Sequence, residues 1–259
     1  MWPDRRIIDL FNIEHPILLA PMAGPGTAEL AIAVAEAGGL GSLPCAMLTP
    51  EQIRRDMGVI RQRTSKPINL NFFTHTPPQP DPARDARWKA RLAPYYAELG
   101  VDPDKPAPNV NRTPFGDAAC EIVEEFKPEI VSFHFGLPEP RLLARVRAAG
   151  CKVIASATTA AEAKSLAERG CDAVIAQGAE AGGHRGMFLS DDVASQPGTF
   201  ALVPQVALAP LKAAAEAKGA ADFSALWSGQ AAALARDMPA AELTKCLAQE
   251  ALARLAGSR

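Results

Sequence analysis

The sequence predicts an α/β protein of parallel (β/α) barrel type, TIM-barrel-like, with six recognisable strands and a run of helices at its C-terminal end. Two observations predict it. Short apolar runs without polar alternation recur between Ile17 and Ala176, most of them followed by a helical pattern, and strands apolar on both faces belong to parallel sheets covered by helices. Glycine and polar residues also gather after several different runs, with no Gly-x-Gly-x-x-Gly turn after the first. That distribution favours a barrel over a doubly wound sheet. A closed barrel of this kind needs eight strands, so six leave it incomplete.

The first run is Ile17–Met22. A helix follows, opened by Thr27 and closed by Gly38-Gly39. The second is Leu40–Pro44, and its helix starts with a capping box in which Thr49 is the N-cap, Pro50 the first helical residue and Gln52 the N3 partner. Pro67–Phe73 is the third run and Ile130–Phe135 the fourth, with a helix from about Glu139 to Ala149 after it. Gly150–Ala155 is then nearly repeated as Gly170–Ala176. Between the two copies Thr159 and Glu162 read as a second capping box, with Gly170 as the helix C′ residue. So short a β-α-β unit implies a parallel, right-handed crossover with tight loops.

Residues 76–114 interrupt this rhythm. The segment is rich in proline and charge, holds a helix from about Ala83 to Leu99, and follows a strand's C-terminal end, where it reads either as an exposed excursion or as a lid over the barrel mouth. After Val206 the strands stop. Leu208–Lys218, Phe223–Ala235 and Pro239–Leu255 read as alanine-rich helices. The expected organisation is a barrel portion over residues 1–206, with the insertion at 76–114, and a helical tail over 207–259.

A length of 259 residues suits one α/β barrel or two smaller domains, and 48% apolar residues supply a sizeable core. Lys plus Arg number 27 against 29 Asp plus Glu, a balance that gives no reason to expect nucleic acid or an anionic membrane as partner. No apolar run reaches the roughly 18 residues of a membrane span, and the start, Met1-Trp2-Pro3-Asp4-Arg5-Arg6, lacks a signal's apolar stretch. Cys45, Cys120, Cys151, Cys171 and Cys246 form no CxxC pair and read as reduced thiols of a cytoplasmic protein. A homo-oligomer is compatible with all of this.

The richest stretch for chemistry is Ala176-Gln177-Gly178-Ala179-Glu180-Ala181-Gly182-Gly183-His184-Arg185-Gly186, just past the sixth run. Its glycines let backbone approach a ligand closely, and Gln177 offers donor and acceptor to the edge of a flat heterocycle. His184 can exchange a proton near neutral pH. Ala20-Pro21-Met22-Ala23-Gly24 places small residues and a polarizable sulfur at the end of the first run. Asn69 and Asn71 point the same way from one strand, and both amides need partners: neighbouring strands or a ligand in the mouth. His134, near Gly136, is either a core histidine or a second site histidine in contact with substrate. His15 and His75 read as loop or strand-end residues, and Ser156 and Thr158 as ligand donors or helix caps. No metal-ligand cluster, nucleophile elbow or P-loop is present.

Leu19-Ala20-Pro21-Met22-Ala23-Gly24, Ala37-Gly38-Gly39-Leu40-Gly41 and Gln177–His184 together resemble the nitronate monooxygenases, formerly 2-nitropropane dioxygenases. The likeness runs from about Ile7 to Val206 and returns in Leu208–Lys212 and Phe223–Gln230. It implies an FMN-containing TIM barrel that oxidises alkyl nitronates, such as propionate 3-nitronate, with O₂ to a carbonyl compound and nitrite. It further implies His184 as catalytic base or hydrogen-bond partner of the nitronate, with Met22, Ala23, Asn71, Gln177, Gly182 and Gly183 at the FMN. Members of that family continue after the equivalent of Pro204-Gln205-Val206 with two more strands, whose loops hold the FMN phosphate. Here Val206 passes almost directly to the family's tail. Two other readings share the same motifs: an FMN-dependent NAD(P)H reductase of enoyl-thioesters or quinones, and a non-catalytic remnant of the family.

Overall fold

The computed structural model describes residues 2–102, 104, 113–206 and 238–257. Five strands, β1 (Gly41–Pro44), β2 (Ile68–Phe73), β3 (Ile130–His134), β4 (Lys152–Ala157) and β5 (Ala173–Ala176), form one sheet. Every pairing is parallel and the order is sequential, β1-β2-β3-β4-β5. A doubly wound sheet reverses its order at a switch point. A sequential parallel order with right-handed crossovers puts every crossover helix on one face, as in a barrel wall.

The crossover helices fulfil that geometry. In chain order the helices are α1 (Arg6–Phe11), α2 (Ala28–Glu36), α3 (Pro50–Arg63), α4 (Pro82–Glu98), α5 (Asp117–Phe126), α6 (Pro140–Ala148), α7 (Ala160–Glu168), α8 (199–206) and α9 (Ala240–Gly257). Neighbours along the wall pack in series, α2 on α3, α3 on α5 and α5 on α6. Local sequence explains their ends. Thr49 and Gln52 make the expected capping box, and Pro50 fills the first turn. After α2 and α7 the chain closes in a Schellman motif: Gly39 N–H donates to Val34 O and Gly38 N–H to Ala35 O, while Cys171 and Gly170 repeat the pattern on Leu166 and Ala167. Gly38 and Gly170 hold φ of +88° and +84°, the left-handed conformation that favours glycine.

Side-chain alternation divides the sheet. Ile68, Leu70, Phe72, Val131, Phe133, Val153 and Ala155 pack with helical Ile53, Met57, Cys120, Val123, Leu142 and Val146 in the main core. On the opposite, concave face a smaller cluster of Phe11, Ile13, Leu40, Ile130 and Ile154 plugs the end where the strands begin. Above this plug the concave face turns polar, with Ser42, Asn69, Asn71, Ser132 and Ser156 all buried. α4 contributes no buried residue and leaves Trp88 and Tyr95 exposed, so the excursion after β2 contains the expected helix. α9 packs on α2, beside the first strand. The helices expected at Leu208–Lys218 and Phe223–Ala235 lie outside the described residues.

One expected strand is reduced. Ile17–Met22 makes only an isolated parallel bridge, Leu18 to Leu40. Leu40 N–H donates to Ile17 O, and Leu19 N–H donates to Leu40 O. The next rung of a parallel ladder would come from residue 21, a proline with no N–H. The chain therefore leaves the sheet and turns at Gly24. The capping box expected at Thr159 is also half made: Thr159 accepts from Glu162 N–H, but the Glu162 carboxylate goes elsewhere. None of the five cysteines is in a disulfide, and burial pushes Cys151 and Cys171 up to about 12. Among the described residues no helix is long and apolar enough to cross a membrane, and no His, Cys, Asp and Glu cluster suits a metal ion.

Candidate active site at the C-terminal ends of the strands

The site begins where β3 ends. His134 closes the strand, and Phe135 follows with φ +70°, a strained conformation for a bulky residue. Thr74 holds this corner: its N–H and Oγ1–H donate to His134 O at 2.9 Å, and the hydroxyl also reaches Phe135 O at 3.0 Å. The turn sets His134 and Phe135 beside each other, ring centroids 4.6 Å apart, with Phe73 of β2 at 5.6 Å from His134.

The loop after β5 closes over this aromatic corner. Gln177 Nε2 donates to His184 O at 2.8 Å, and Gln177 Oε1 accepts from Gly186 N–H at 2.7 Å. The side chain thus bridges seven to nine residues of its own loop. His134 Nε2 meets the same His184 carbonyl at 2.8 Å. A carbonyl can only accept, so that nitrogen carries a proton, and the neutral form of His134 here is the Nε2–H tautomer. Burial pushes its pKa below the ordinary histidine value, and the bond to the carbonyl opposes the shift. Gly186 packs against the Nδ1–Cε1–Nε2 edge of the His134 ring: a Cβ there would sit 2.7 Å from Cε1. Gln196 Nε2 donates to Gln177 O at 2.9 Å, and Arg185 donates to Gln196 Oε1 at 3.0 Å.

With its carbonyl held by two donors, His184 is left exposed with its ring over Phe73 (5.3 Å) and Phe135 (6.2 Å). An imidazole presented this way can take or give a proton to a small molecule above the sheet. The structure therefore brings Gln177, His184 and His134 together. It gives His134 a place in the scaffold, with Nε2 on backbone and the ring under Gly186, rather than the open edge of a substrate contact. Gln177 likewise has both amide atoms on loop backbone instead of facing a heterocycle.

The other expected residues are arranged around this cluster. Asn71 lies one layer deeper, donating to Ser132 Oγ at 2.9 Å. Asn69 donates to Ser42 Oγ at 3.0 Å, yet its Oδ1 is buried without a partner. Met22, 44% exposed, and Ala23 occupy the turn at the β1 side, pinned where Gly26 packs against Pro44. Gly182 and Gly183 are exposed with open space around them, and Gly183 adopts φ +81°. His15 contacts Trp2 and its backbone N–H donates to Gly38 O in the N-terminal loop, and His75 lies edge-on to Phe73 and Phe135. Sequence reasoning missed Phe73, Phe135 and Gln196. Phe135 carries no local signal for a left-handed turn beyond the glycine after it, and Gln196 carries none.

Comparison with known proteins gives the chain a family. The family model for nitronate monooxygenase matches residues 4–210. A nitronate monooxygenase of Paraburkholderia phytofirmans is 40% identical over 240 residues, covering 92% of this chain and 64% of its own. One from Pseudomonas aeruginosa is 41% identical over 199 residues, 76% of this chain and 57% of its own. Among solved structures, nitroalkane oxidase from Streptomyces ansochromogenes superimposes with a TM-score of 0.67 at 35% identity, over 79% of this chain and 58% of that one. FabK from Thermotoga maritima gives 0.55 at 30%, over 78% and 50%. The chain spans 64% and 57% of the two curated relatives' lengths. With most of its length matched by that model, and the strand-end glutamine, glycines and histidine in place, the chain belongs to the nitronate monooxygenase family.

Proposed function

We propose that this chain derives from, and carries the substrate-facing half of, an FMN-dependent oxidase of alkyl nitronates that uses O₂ and yields a carbonyl compound and nitrite. The observation that carries the reading is the presentation of His184: its backbone is fixed by Gln177 and His134 while its imidazole stays open over Phe73 and Phe135. A small anionic nitronate would meet a hydrogen-bonding imidazole above an apolar floor.

The residues present fit the ring of the flavin. The concave face is polar where a planar heterocycle would lie, and the orphaned Asn69 Oδ1 calls for an N–H donor of the kind an isoalloxazine edge carries. Asn69 and Asn71 would hold the ring from below, Met22 and Ala23 from the β1 side, and the open glycines Gly182 and Gly183 would let backbone approach it. The described residues offer no matching cradle for its phosphate: the one cation on the loop, Arg185, is tied to Gln196. When bound, the flavin supplies the electron-accepting chemistry. His184 orients the nitronate by a hydrogen bond or removes the proton of its nitroalkane form. His134 and Gln177 keep the loop in place, and Phe73 and Phe135 exclude water from the reacting face.

The test is direct. The purified chain, incubated with FMN, is expected to show a bound-flavin spectrum and to consume O₂ with propionate 3-nitronate while releasing nitrite. His184→Asn should lower kcat by about 10²-fold or more. Failure to take up flavin together with absent nitrite release would refute the reading. NADH oxidation in the presence of an enoyl-thioester or quinone, without nitronate turnover, would replace it with the reductase.

A further inference from the structure

We infer that Glu162 is a positioning residue for His184: its carboxylate ties the loop that carries His184 to the end of β4. This rests on reading His184 as the residue that meets substrate. Glu162 is 1% exposed. Its place in the first turn of α7 marks it as a cap residue, yet Thr159 already caps that helix by accepting from Glu162 N–H at 3.2 Å. A capping-box carboxylate returns to the N-cap backbone. This one reaches one residue further back, where Oε2 accepts from Thr158 N–H and Oγ1–H, both at 2.7 Å.

The other oxygen faces the loop. Oε1 accepts from Phe188 N–H at 2.8 Å and Leu189 N–H at 3.2 Å. Four donors on two oxygens satisfy a buried carboxylate without a cation. The contact continues toward the site. Phe188 packs on Gly136, where a Cβ would come within 3.2 Å of its ring, and Gly186 packs on His134, which donates to His184 O. Glu162 thus fixes Phe188, and two positions earlier on the same loop Gly186 packs on His134, which holds the His184 carbonyl.

A carboxylate is required for this. The isosteric Glu162→Gln keeps one acceptor, but its NH₂ meets an N–H on either side: facing the loop it leaves Phe188 and Leu189 N–H without an acceptor, and facing β4 it leaves Thr158 N–H without one while the Thr158 hydroxyl turns to accept, so the four-donor clamp is broken in both placements. In the chain without flavin, this variant should raise amide exchange at Phe188 and Leu189 at least tenfold, while Val131 and Val153 in the sheet keep native protection. The His134 ring should titrate nearer the ordinary histidine value as Gly186 lifts off it. Loop exchange within twofold of native, or protection lost equally in sheet and loop, overturns the inference. Should the variant not fold, Thr158→Val removes only the hydroxyl and makes the same test: about threefold faster loop exchange supports it, and no change sinks it. In flavin-loaded enzyme the Gln variant should lose at least tenfold in kcat with KM within threefold. A native chain that turns over no nitronate would refute the proposed reaction while the exchange measurement still judges Glu162.

Discussion

Gly186 tests the arrangement of the site most sharply. Its φ lies outside the left-handed region, so alanine can adopt the backbone without strain, and any effect is steric. An added Cβ would stand 2.7 Å from His134 Cε1, 3.0 Å from Nδ1 and 3.2 Å from Nε2. Ordinary carbon contacts lie at about 3.5–4.0 Å, so ring or loop must retreat by roughly 1 Å. Retreat lengthens the 2.8 Å bond from His134 Nε2–H to His184 O beyond hydrogen-bond range, a loss of about 1 kcal/mol. Overpacking adds about 1–3 kcal/mol. The sum, about 2–4 kcal/mol, falls on the loop, because the core lies on the other face of the sheet. Loop opening should rise about 30-fold or more, at 1.4 kcal/mol per factor of ten. Amide exchange at residue 186, whose N–H donates to Gln177 Oε1, reads this directly. Gly182→Ala is the matched control: nothing lies within 4 Å of its added Cβ, and exposed sites of this kind change stability by about 0.5 kcal/mol or less. Equal behaviour of the two variants would refute the packing of Gly186 on His134.

Gly178→Ala should damage the fold itself, since its Cβ would fall 2.2 Å from Thr199 N, backbone that cannot swing aside. A loss of about 3 kcal/mol is expected, visible as a lowered thermal midpoint, and an unchanged melt refutes the close approach. Stability should also depend on pH through His134. Its folded pKa is depressed by burial, so the unfolded chain binds the proton more readily. Stability is then full above the ordinary histidine range and declines as pH falls through that range toward the folded value. Urea titrations from pH 8 to 5 check this, and His134→Gln should flatten that part of the profile. Thr49→Ala removes the side-chain half of a complete capping box and should cost about 1 kcal/mol in the same urea assay.

What was legible in the sequence was whatever a residue does for its own neighbourhood. Thr49 with Gln52, and the glycines after α2 and α7, act within one or two turns, and the structure uses them as read. The alternation Asn69-Leu70-Asn71 placed both amides on the concave face, where their Nδ2 groups do find neighbouring strands. Ile17–Met22 failed as a strand for an equally local reason that apolar content hides: the next rung falls on Pro21. Glu162 shows where local reading stops. Its spacing from Thr159 fits a capping box, and the backbone half of that box is present, yet the carboxylate turns to Phe188 and Leu189, 26 and 27 positions away. No periodicity encodes that distance, because it is created only when the loop after β5 folds back over β3 and β4. The same holds for His134 under Gly186. A histidine in a strand cannot reveal from sequence whether it faces substrate or scaffold; the loop that covers it decides, by placing a carbonyl on Nε2 and a glycine on its edge. Of the residues that aim His184, only Gln177 belongs to the motif that identifies the family, while His134, Gly186 and Glu162 lie outside it. Mutations chosen by motif alone would reach Gln177 but miss the rest of what holds the chemistry in place.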